Sequence, residues 1–188
     1  MDKPSSYCSY VNDPVWEADP LHRQYHDRLY GFPVKDDREL FGRLILEINQ
    51  AGLNWLTILR KEENFRKAYD QFDPEKIARY GAKDKKRLLA DPGIIRNRLK
   101  VEAAIHNAGI ILQMQKEYGS FRDWLNHHHP LSREEWTKLF RRHFRFTGGE
   151  IVHEFLLSTG YLPGAHRSDC PVHAKILKSR PAWMQKHP

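Results

Sequence analysis

Residues 89–98 read Leu-Ala-Asp-Pro-Gly-Ile-Ile-Arg-Asn-Arg and interrupt a region of helical hydrophobic periodicity. Pro92 presets the backbone for a turn, and Gly93 has no Cβ that would keep another molecule at a distance. Because proline rarely continues a helix, we predict that one helix stops at Asp91 and that another restarts at Ile94. The fold prediction therefore starts from a helix, a tight turn and a second helix.

This hairpin has two interpretations. It is either an ordinary αα-hairpin with basic residues facing solvent, or a turn whose backbone N–H groups bind a DNA phosphate at the start of the second helix. Gly93 and Ile95 lie in the turn, and Arg96, Arg98 and Lys100 add positive charge next to it. The hairpin alone does not separate the two interpretations, so neighbouring features must decide.

The rest of the chain is also predicted to be helical, because no sustained alternation of apolar and polar residues marks a strand. An all-α fold follows from this pattern. Residues that can cap a helix, and glycines that can end one, divide the pattern into segments. The predicted helices run from Asp36 to Gly52, from Asn54 through Phe65 toward Phe72, from Ser132 to Thr147, and, as the last helix, from Ile151 to Gly160.

The composition is that of one globular domain, with 188 residues of which 40% are hydrophobic and 29% are charged. A formal net charge of +7 favours a polyanionic partner, although many basic proteins bind no nucleic acid. The N-terminus has no apolar run typical of a secretory signal, and no later stretch is long enough to span a bilayer. We therefore expect a cytoplasmic protein with no membrane partner.

Glu47 is a candidate functional residue because its spacing from Leu44 turns a carboxylate toward the apolar face of its own helix. Desolvating a carboxylate is costly, so such a residue is either paired structurally or receives a ligand. Tyr25, Tyr30 and Trp55 lie in the flanking segments and either pack in the core or stack on a base. A purine methylated on a ring nitrogen is cationic, so rings and a carboxylate would favour it over a neutral base.

Two cysteines and two histidines, divided between the chain ends, form a candidate metal site. Cys8 and His26 lie near one end, and His166 and Cys170 lie near the other. Such a Cys2His2 set fills the four positions around zinc and leaves none for substrate, so the site would be structural. The chain holds eleven histidines, which makes chance pairings common. Unliganded core cysteines and a late disulfide are the alternatives.

Five short motifs follow one another along the chain: Tyr25-His26-Asp27, Gly31-Phe32-Pro33, Leu46-Glu47-Ile48-Asn49-Gln50-Ala51-Gly52-Leu53-Asn54-Trp55, Phe72-Asp73-Pro74 and Gly93-Ile94-Ile95-Arg96-Asn97-Arg98. In this order they resemble the 3-methyladenine DNA glycosylase I family. The resemblance extends from about Cys8 to Cys170. Several motifs in register are far more specific than any one of them alone.

The resemblance implies an all-helical domain of the helix-hairpin-helix DNA glycosylase superfamily. It also implies a lobe stapled by zinc and formed by the N- and C-terminal segments. The expected boundaries are a single glycosylase domain over 1–188, a zinc-binding lobe from 8–30 and 160–175, a helical domain over 36–160 with its hairpin at 89–98, and a frayed tail over 178–188.

The resemblance also implies roles for single residues. Glu47 corresponds to the carboxylate that receives the damaged base, Tyr25 to a tyrosine that hydrogen-bonds the base, and Trp55 to a stacking tryptophan. Gln50 and Leu53 correspond to a stretch that fills the gap left by the extruded nucleotide. The residues that correspond to the ligands of one structural zinc ion are Cys8, His26, His166 and Cys170.

The chain departs from the family pattern around the base. Tryptophans are expected at Tyr10 and Tyr30, a tyrosine at His22, and a glycine or glutamine at Ile48 and Asn49. Smaller or more polar walls change which base fits. Tyr10, His22, Tyr30 and Asn49 therefore remain predicted base-binding residues.

The predicted activity is monofunctional hydrolysis of the N-glycosidic bond to an N-methylated purine, with 3-methyladenine as the expected base. The predicted substrate is double-stranded DNA with alkylated bases, and the protein is expected to be a monomer that acts in base excision repair. No lysine in the pocket motifs is placed as a Schiff-base nucleophile, so no lyase step is predicted. The alternatives are a non-catalytic or differently specific zinc-stapled DNA-binding protein and a zinc hydrolase with an open metal position.

Overall fold

The computed structural model of the chain describes residues 4–185. Over that range the backbone forms helices and turns and contains no β-strand, which confirms the predicted all-α fold. No helix in this part of the chain is both long and apolar enough to cross a lipid bilayer. The α-helices are α1 (Tyr7–Asn12), α2 (Pro20–Arg28), α3 (Asp37–Gln50), α4 (Trp55–Leu59), α5 (Glu62–Ala68), α6 (Pro74–Ala78), α7 (Ala82–Ala90), α8 (Arg98–Tyr118), α9 (Phe121–His128), α10 (Arg133–His143), α11 (Gly149–Ser158) and α12 (His173–Ser179).

The described residues divide into two compact units. The central unit is Val34–Phe155, and the terminal unit combines the described residues up to Pro33 with those from Leu156 onward. The terminal unit therefore takes its residues from both chain ends. The predicted tail at 178–188 begins within α12 and includes a 3-10 helix at Ala182–Met184, whereas its last three residues lie outside the described range.

Helix α3 supplies the interior of the central unit, because every residue from Leu40 to Asn49 is buried. Asp36 caps this helix by accepting a hydrogen bond from the Glu39 N–H at 3.0 Å. Gly42 allows the Phe72 ring to lie against the helix, since a Cβ at this position would come within 2.4 Å of that ring. A helix buried on all sides places even its polar residues in the core.

The helix predicted from Asn54 through Phe65 is wrong in its length. Asn54 does cap α4 by accepting a hydrogen bond from the Thr57 N–H at 2.9 Å, but α4 and α5 are separate helices. A 3-10 helix then follows at Asp70–Phe72, where all three residues have positive φ angles of 48°, 60° and 58°. Hydrophobic spacing continued across these breaks because both helices face the same core.

The predicted restart of the second hairpin helix at Ile94 is also wrong, because α8 begins four residues later. Asp91 shapes the intervening turn by accepting a hydrogen bond from the Gly93 N–H at 2.7 Å. Asn97 then caps α8 by accepting a hydrogen bond from the Lys100 N–H at 3.2 Å. Ile94 is buried, so it belongs to the core without belonging to the helix.

The terminal unit contains a helix that the sequence pattern did not predict. The segment predicted as the last helix is α11, and α12 follows it. Within α12 only Ile176 is buried, so this short helix has too little hydrophobic periodicity to be recognised. Ile176 packs with Cys8, Cys170 and Val172 in a small apolar cluster that joins the two chain ends.

The prediction of a capped helix at Ser132 is confirmed. Ser132 Oγ accepts a hydrogen bond from the Glu135 N–H at 3.3 Å, and the Glu135 carboxylate accepts one from the Ser132 N–H at 2.8 Å. This reciprocal pair is the capping box that the spacing indicated. It starts α10, whose Trp136 and Phe140 enter the core of the central unit.

Candidate functional site

Four side chains of types that ligate metals converge in the terminal unit, and all four are buried: Cys8, His26, His166 and Cys170. We call them the cysteine–histidine cluster. His26 Nε2 lies 3.4 Å from Cys8 Sγ and 3.7 Å from Cys170 Sγ. His166 Nδ1 lies 3.6 Å from each of the two sulfurs. A tetrahedral zinc ion with bonds of about 2.3 Å to sulfur and about 2.0 Å to nitrogen would hold these atoms about 3.5 Å apart. The donor set and its spacing therefore fit such an ion.

The second nitrogen of each histidine is already engaged. His26 Nδ1 lies 2.7 Å from the Asp27 carboxylate, and His166 Nε2 donates to the Tyr30 carbonyl at 2.8 Å. These contacts orient both rings so that the remaining nitrogen faces the sulfurs, as outer partners of metal ligands commonly do. Burial also lowers the pKa of His166, which favours the neutral ring that ligates a metal. The two cysteines are free thiols and do not form the disulfide that was one alternative.

The predicted base-contacting rings of the terminal unit gather around Tyr7. The Tyr7 ring centroid lies 6.4 Å from Tyr10, 5.7 Å from His22, 6.4 Å from Tyr25 and 5.3 Å from Tyr30. Its hydroxyl lies 3.0 Å from His22 Nδ1 and donates to the His22 carbonyl at 3.1 Å. Burial raises the pKa of Tyr7, so this hydroxyl stays protonated. Tyr7 thus lies at the centre of this ring cluster, although the sequence pattern did not predict a role for it.

Sequence reasoning missed Tyr7 although a usable signal was present. Tyr7 and Tyr10 are three residues apart on α1 and therefore share one face of that helix. Cys8 lies between them on the same helix and belongs to the cysteine–histidine cluster. The short helix thus contributes both to the ring cluster and to the cysteine–histidine cluster.

Glu47 lies on α3 in the central unit, and its side chain is buried, with the residue only 5% exposed. The pKa of Glu47 is raised from 4.5 to about 8, and burial is the largest cause. The nearby charge of Glu154 also raises this pKa, whereas the charge of Arg43 lowers it. Because the raising effects are larger, the surroundings of Glu47 disfavour its negative charge. A cation that arrived beside Glu47 would be stabilised by that same carboxylate.

The end of α3, the loop after it and the first residue of α4 carry four other predicted site residues. Asn49 is buried and donates from its amide to the Ile45 carbonyl at 2.8 Å, so its side chain runs along the helix. Gln50 Nε2 donates to the Leu53 carbonyl at 2.8 Å, and the Leu53 N–H donates to the Gln50 carbonyl at 2.7 Å. This reciprocal pair fixes a short loop that presents Leu53, 39% exposed, next to the half-buried Trp55.

The hairpin between α7 and α8 also belongs to the central unit. Lys61 Nζ donates to the Pro92 carbonyl at 2.7 Å and so joins the turn to the segment after α4. Arg96 is exposed, and Arg98 is exposed with a 3.4 Å ion pair to Glu102. Gly93 and Ile95 are half-buried within the turn.

One residue of the hairpin region departs from its predicted environment. Lys100, expected to add positive charge beside the turn, is only 5% exposed. Its ammonium group donates to the carbonyls of Asn49 and Ala51 at 2.9 and 2.7 Å. The prediction failed because a lysine in a basic, polar stretch is normally solvated, and the sequence pattern does not reveal carbonyls contributed by a distant helix.

The structure therefore places the predicted site residues in two groups. The terminal unit holds the cysteine–histidine cluster and the ring cluster with Tyr10, His22, Tyr25 and Tyr30. The central unit holds Glu47, Asn49, Gln50, Leu53 and Trp55 on α3, α4 and their loop, together with the hairpin residues Gly93, Ile95, Arg96 and Arg98.

Comparison with known families gives one consistent match. The family model described as methyladenine glycosylase matches residues 15–139. DNA-3-methyladenine glycosylase 1 of Escherichia coli is 37% identical over 172 residues, which cover 81% of this chain and 89% of that protein. DNA-3-methyladenine glycosylase of Haemophilus influenzae is 36% identical over 170 residues, which cover 80% of this chain and 91% of that protein.

Solved structures give the same match. The chain superimposes with a TM-score of 0.77 and 32% identity on 3-methyladenine DNA glycosylase I from Staphylococcus aureus, a structure that describes 3-methyladenine recognition. That alignment covers 93% of this chain and 96% of the other. A variant of 3-methyladenine DNA glycosylase I in complex with 3-methyladenine gives a TM-score of 0.74 and 34% identity, with 82% and 92% of the two chains covered.

Proposed function

Because the chain belongs to the methyladenine glycosylase family, we propose that it is a DNA glycosylase that releases 3-methyladenine from alkylated DNA in base excision repair. The reaction is hydrolysis of the N-glycosidic bond, without a lyase step. The observation that carries this proposal is the buried, electrostatically disfavoured carboxylate of Glu47. Relatives named for 3-methyladenine, one of them solved with that base, support the choice of substrate.

Glu47 suits a cationic base better than a neutral one. Its carboxylate has lost most of its hydration, and its pKa of about 8 means that the protein supplies too little positive charge to compensate. A purine methylated on a ring nitrogen brings that positive charge with it. Binding such a base therefore lowers the pKa of Glu47, whereas an undamaged base offers nothing comparable.

The bond that breaks joins C1′ of the deoxyribose to the ring nitrogen of the base. Its electron pair stays with the base, which leaves as a neutral molecule, and a water oxygen bonds to C1′ while the water proton passes to solvent. Methylation has already made the base a good leaving group. Glu47 and Tyr25 therefore act mainly by binding and orienting the base, and the Glu47 carboxylate also stabilises positive charge that develops on the sugar.

The base must leave the duplex before the reaction. We assign Leu53 and Gln50 to the space that the extruded nucleotide vacates, since Leu53 is exposed on a loop that Gln50 fixes. We assign the turn with Gly93 and Ile95, and the exposed Arg96 and Arg98, to a phosphate of the DNA backbone, as in a helix-hairpin-helix motif. The residues assigned to the base itself are Trp55, Tyr10, His22, Tyr30 and Asn49.

The cysteine–histidine cluster is proposed to hold one structural zinc ion through Cys8, His26, His166 and Cys170. When bound, zinc supplies four strong bonds between segments from opposite ends of the chain and no open position for substrate. The fit rests on the nitrogen–sulfur spacing and on the engaged second nitrogens of both histidines. The proposed zinc-binding lobe is 8–30 with 160–175, and the proposed helical domain is 36–160, both within one functional domain.

The proposed substrate is double-stranded DNA that contains alkylated bases, and the proposed working form is a monomer. The cytoplasmic location expected from the sequence remains a prediction. The alternative function, a DNA-binding protein without excision activity, is favoured by the unusual residues Tyr10, His22 and Tyr30 at predicted base-contacting positions. A single experiment distinguishes excision from binding alone.

That experiment is chromatography of the bases released from methylated DNA by the native protein and by Glu47→Gln. We expect the native protein to release 3-methyladenine and Glu47→Gln to release it at least about a hundredfold more slowly, because the carboxylate charge is lost. Glu63→Gln, at a well exposed position on α5, is the matched control and should behave like the native protein. Binding of DNA with no base released by any variant, even at high protein concentration, would leave only the binding function.

A further inference from the structure

Lys100 is a buried cation whose contacts are unusual for a lysine. Its ammonium group donates to two backbone carbonyls, those of Asn49 at 2.9 Å and Ala51 at 2.7 Å. The Phe146 ring lies 5.9 Å from the same nitrogen. No carboxylate forms an ion pair with Lys100 among residues 4–185. Burial lowers the pKa of Lys100, as expected for a cation that has lost water.

The two carbonyls lie at the C-terminal end of α3, where a helix carries partial negative charge and unpaired acceptors. Helix α3 has no basic residue in its own last turn. Lys100 therefore supplies from α8 the positive charge and the donors that the end of α3 requires. The Gln50 carbonyl, between the two, accepts from the Leu53 N–H. The last turn of α3 and the following loop are thus fixed by the hydrogen bonds from Lys100 and by the hydrogen bond from Leu53 to Gln50.

The same lysine does not suit its own helix. Lys100 is the third residue of α8, and a cation in the first turn opposes the partial positive charge of a helix N-terminus. Its position is therefore explained by the end of α3 and not by the stability of α8. The lysine also lies only two residues after Arg98, in the segment that continues directly from the hairpin turn.

We propose that Lys100 is a positioning residue for base extrusion, which locks the Gln50–Leu53 loop to the start of α8. This inference rests on the proposed function, because it assigns a role within DNA base excision. The distance between a DNA phosphate bound at the hairpin and the Gln50–Leu53 loop, which enters the duplex, is then fixed. Lys100 contacts neither the base nor the reacting atoms and acts only through the backbone of Asn49 and Ala51.

A loop that replaces an extruded base matters most when extrusion is costly. A base in a matched pair costs more to remove from the stack than a mismatched one. Loss of Lys100 should therefore slow excision of 3-methyladenine paired with thymine more than excision of the same base opposite a mismatch. A general weakening of the fold, or loss of a direct phosphate contact, would slow both reactions equally.

The test measures single-turnover excision from these two duplexes, with enzyme in excess, for the native protein, Lys100→Met and Lys100→Arg. We expect Lys100→Met to lower the rate on the matched duplex about tenfold or more and the rate on the mismatched duplex less than about threefold. Lys100→Arg should recover most of the matched rate, since it retains a cation with N–H donors. Lys116→Met, at an exposed position on the same helix, is the control and should change neither rate.

The ratio of the two rates is measured on one protein preparation, so a partly unfolded variant does not distort it. If Lys100→Met lowered both rates equally, or lowered neither, the positioning role would be wrong. If Lys100→Met folded too poorly to assay, an unchanged ratio in Lys100→Gln would be the overturning result and a lowered one would support the role. Failure of the native protein to release 3-methyladenine from either duplex would instead contradict the proposed function itself.

Discussion

The cysteine–histidine cluster and Glu47 are both polar and buried, but the surroundings satisfy the polar atoms of the cluster and disfavour the charge of Glu47. In the cluster, each histidine has its outer nitrogen held by Asp27 or by the Tyr30 carbonyl, and its inner nitrogen faces the sulfurs. Around Glu47, burial and the charge of Glu154 outweigh Arg43 and raise the pKa to about 8. The first set is complete once a metal binds, whereas Glu47 keeps its proton near neutral pH because its surroundings supply too little positive charge.

Under the proposed function, this difference is the one between a structural site and a binding site. Four donors that close around an ion leave no position for a substrate, so the role we propose for the cluster is structural. A buried carboxylate that the fold does not neutralise costs stability, and such a cost is commonly found where a ligand supplies the missing charge.

Metal removal should have the largest effect. Chelation should unfold the terminal unit and abolish base release together, because the four ligands come from both chain ends and structural zinc contributes on the order of 10 kcal/mol in small domains. Thermal unfolding followed by circular dichroism, with and without chelator, together with metal analysis of the native protein, measures this. Loss of activity with an unchanged unfolding temperature would instead indicate an open catalytic metal.

The Glu47→Gln variant should be more stable than the native protein at alkaline pH. The pKa of Glu47 is raised in the folded chain from 4.5 to about 8, so folded Glu47 holds its proton where unfolded Glu47 has lost it. The contribution of Glu47 to native stability is therefore fully present below about pH 4.5 and is lost as the pH rises through about 8. The gain of Glu47→Gln should widen by roughly 2 to 4 kcal/mol from pH 5 to pH 9.

Urea unfolding of both proteins across this pH range measures the gap in the free energy of unfolding. A gap that stayed constant with pH would mean that Glu47 is neutralised within the fold. Glu47 would then be compensated by its surroundings, as the cysteine–histidine cluster is by a metal. The assignment of Glu47 as a binding residue would lose its support.

Asp27→Asn should weaken metal binding by about 10- to 100-fold without removing a ligand, because the Asp27 carboxylate orients His26. Competition with a chromogenic zinc chelator gives the affinity. Asp123→Asn, a similarly exposed aspartate in the central unit, is the matched control. Equal affinity in native and Asp27→Asn proteins would show that the His26 ring is oriented without this carboxylate.

Gly93→Ala should have the smallest effect. A Cβ at Gly93 would lie 2.9 Å from Asp91 Oδ1 and 3.1 Å from Asn64 Cβ, so the turn must shift slightly to accept it. We expect DNA affinity at fixed salt to fall about three- to tenfold and stability to change by less than about 1 kcal/mol. Fluorescence anisotropy with a labelled duplex measures the affinity, and an unchanged value would argue against a phosphate contact at this turn.

Local signals in the sequence predicted much of the fold. Asp36, Asn54 and Ser132 cap helices where expected, because a capping side chain acts within three residues of itself. The start of α8 and the break between α4 and α5 were not predicted, since hydrophobic spacing persists wherever successive segments face one core. Helix α12 was missed because it buries only Ile176.

In the candidate site, too, some features could be predicted from the sequence and others could not. The metal-binding set followed from residue type and from the family resemblance, and the structure brings its four members together. The burial of Lys100 could not be predicted, because its partners are backbone carbonyls of another helix and carbonyls leave no mark in a sequence. The influence of Glu154 on Glu47 likewise could not be predicted, because Glu154 lies on α11, more than a hundred residues after Glu47 in the sequence.

The pH dependence of excision tests the central claim that Glu47 acts through a charge which the fold leaves uncompensated. We expect kcat/KM on alkylated duplex DNA, at constant salt, to rise about tenfold per pH unit from pH 6 and to level off near pH 8, as the free protein loses the Glu47 proton. The residual activity of Glu47→Gln should lack this rise. A native profile that is flat between pH 6 and 8, or a Glu47→Gln profile with the same rise, would contradict the claim.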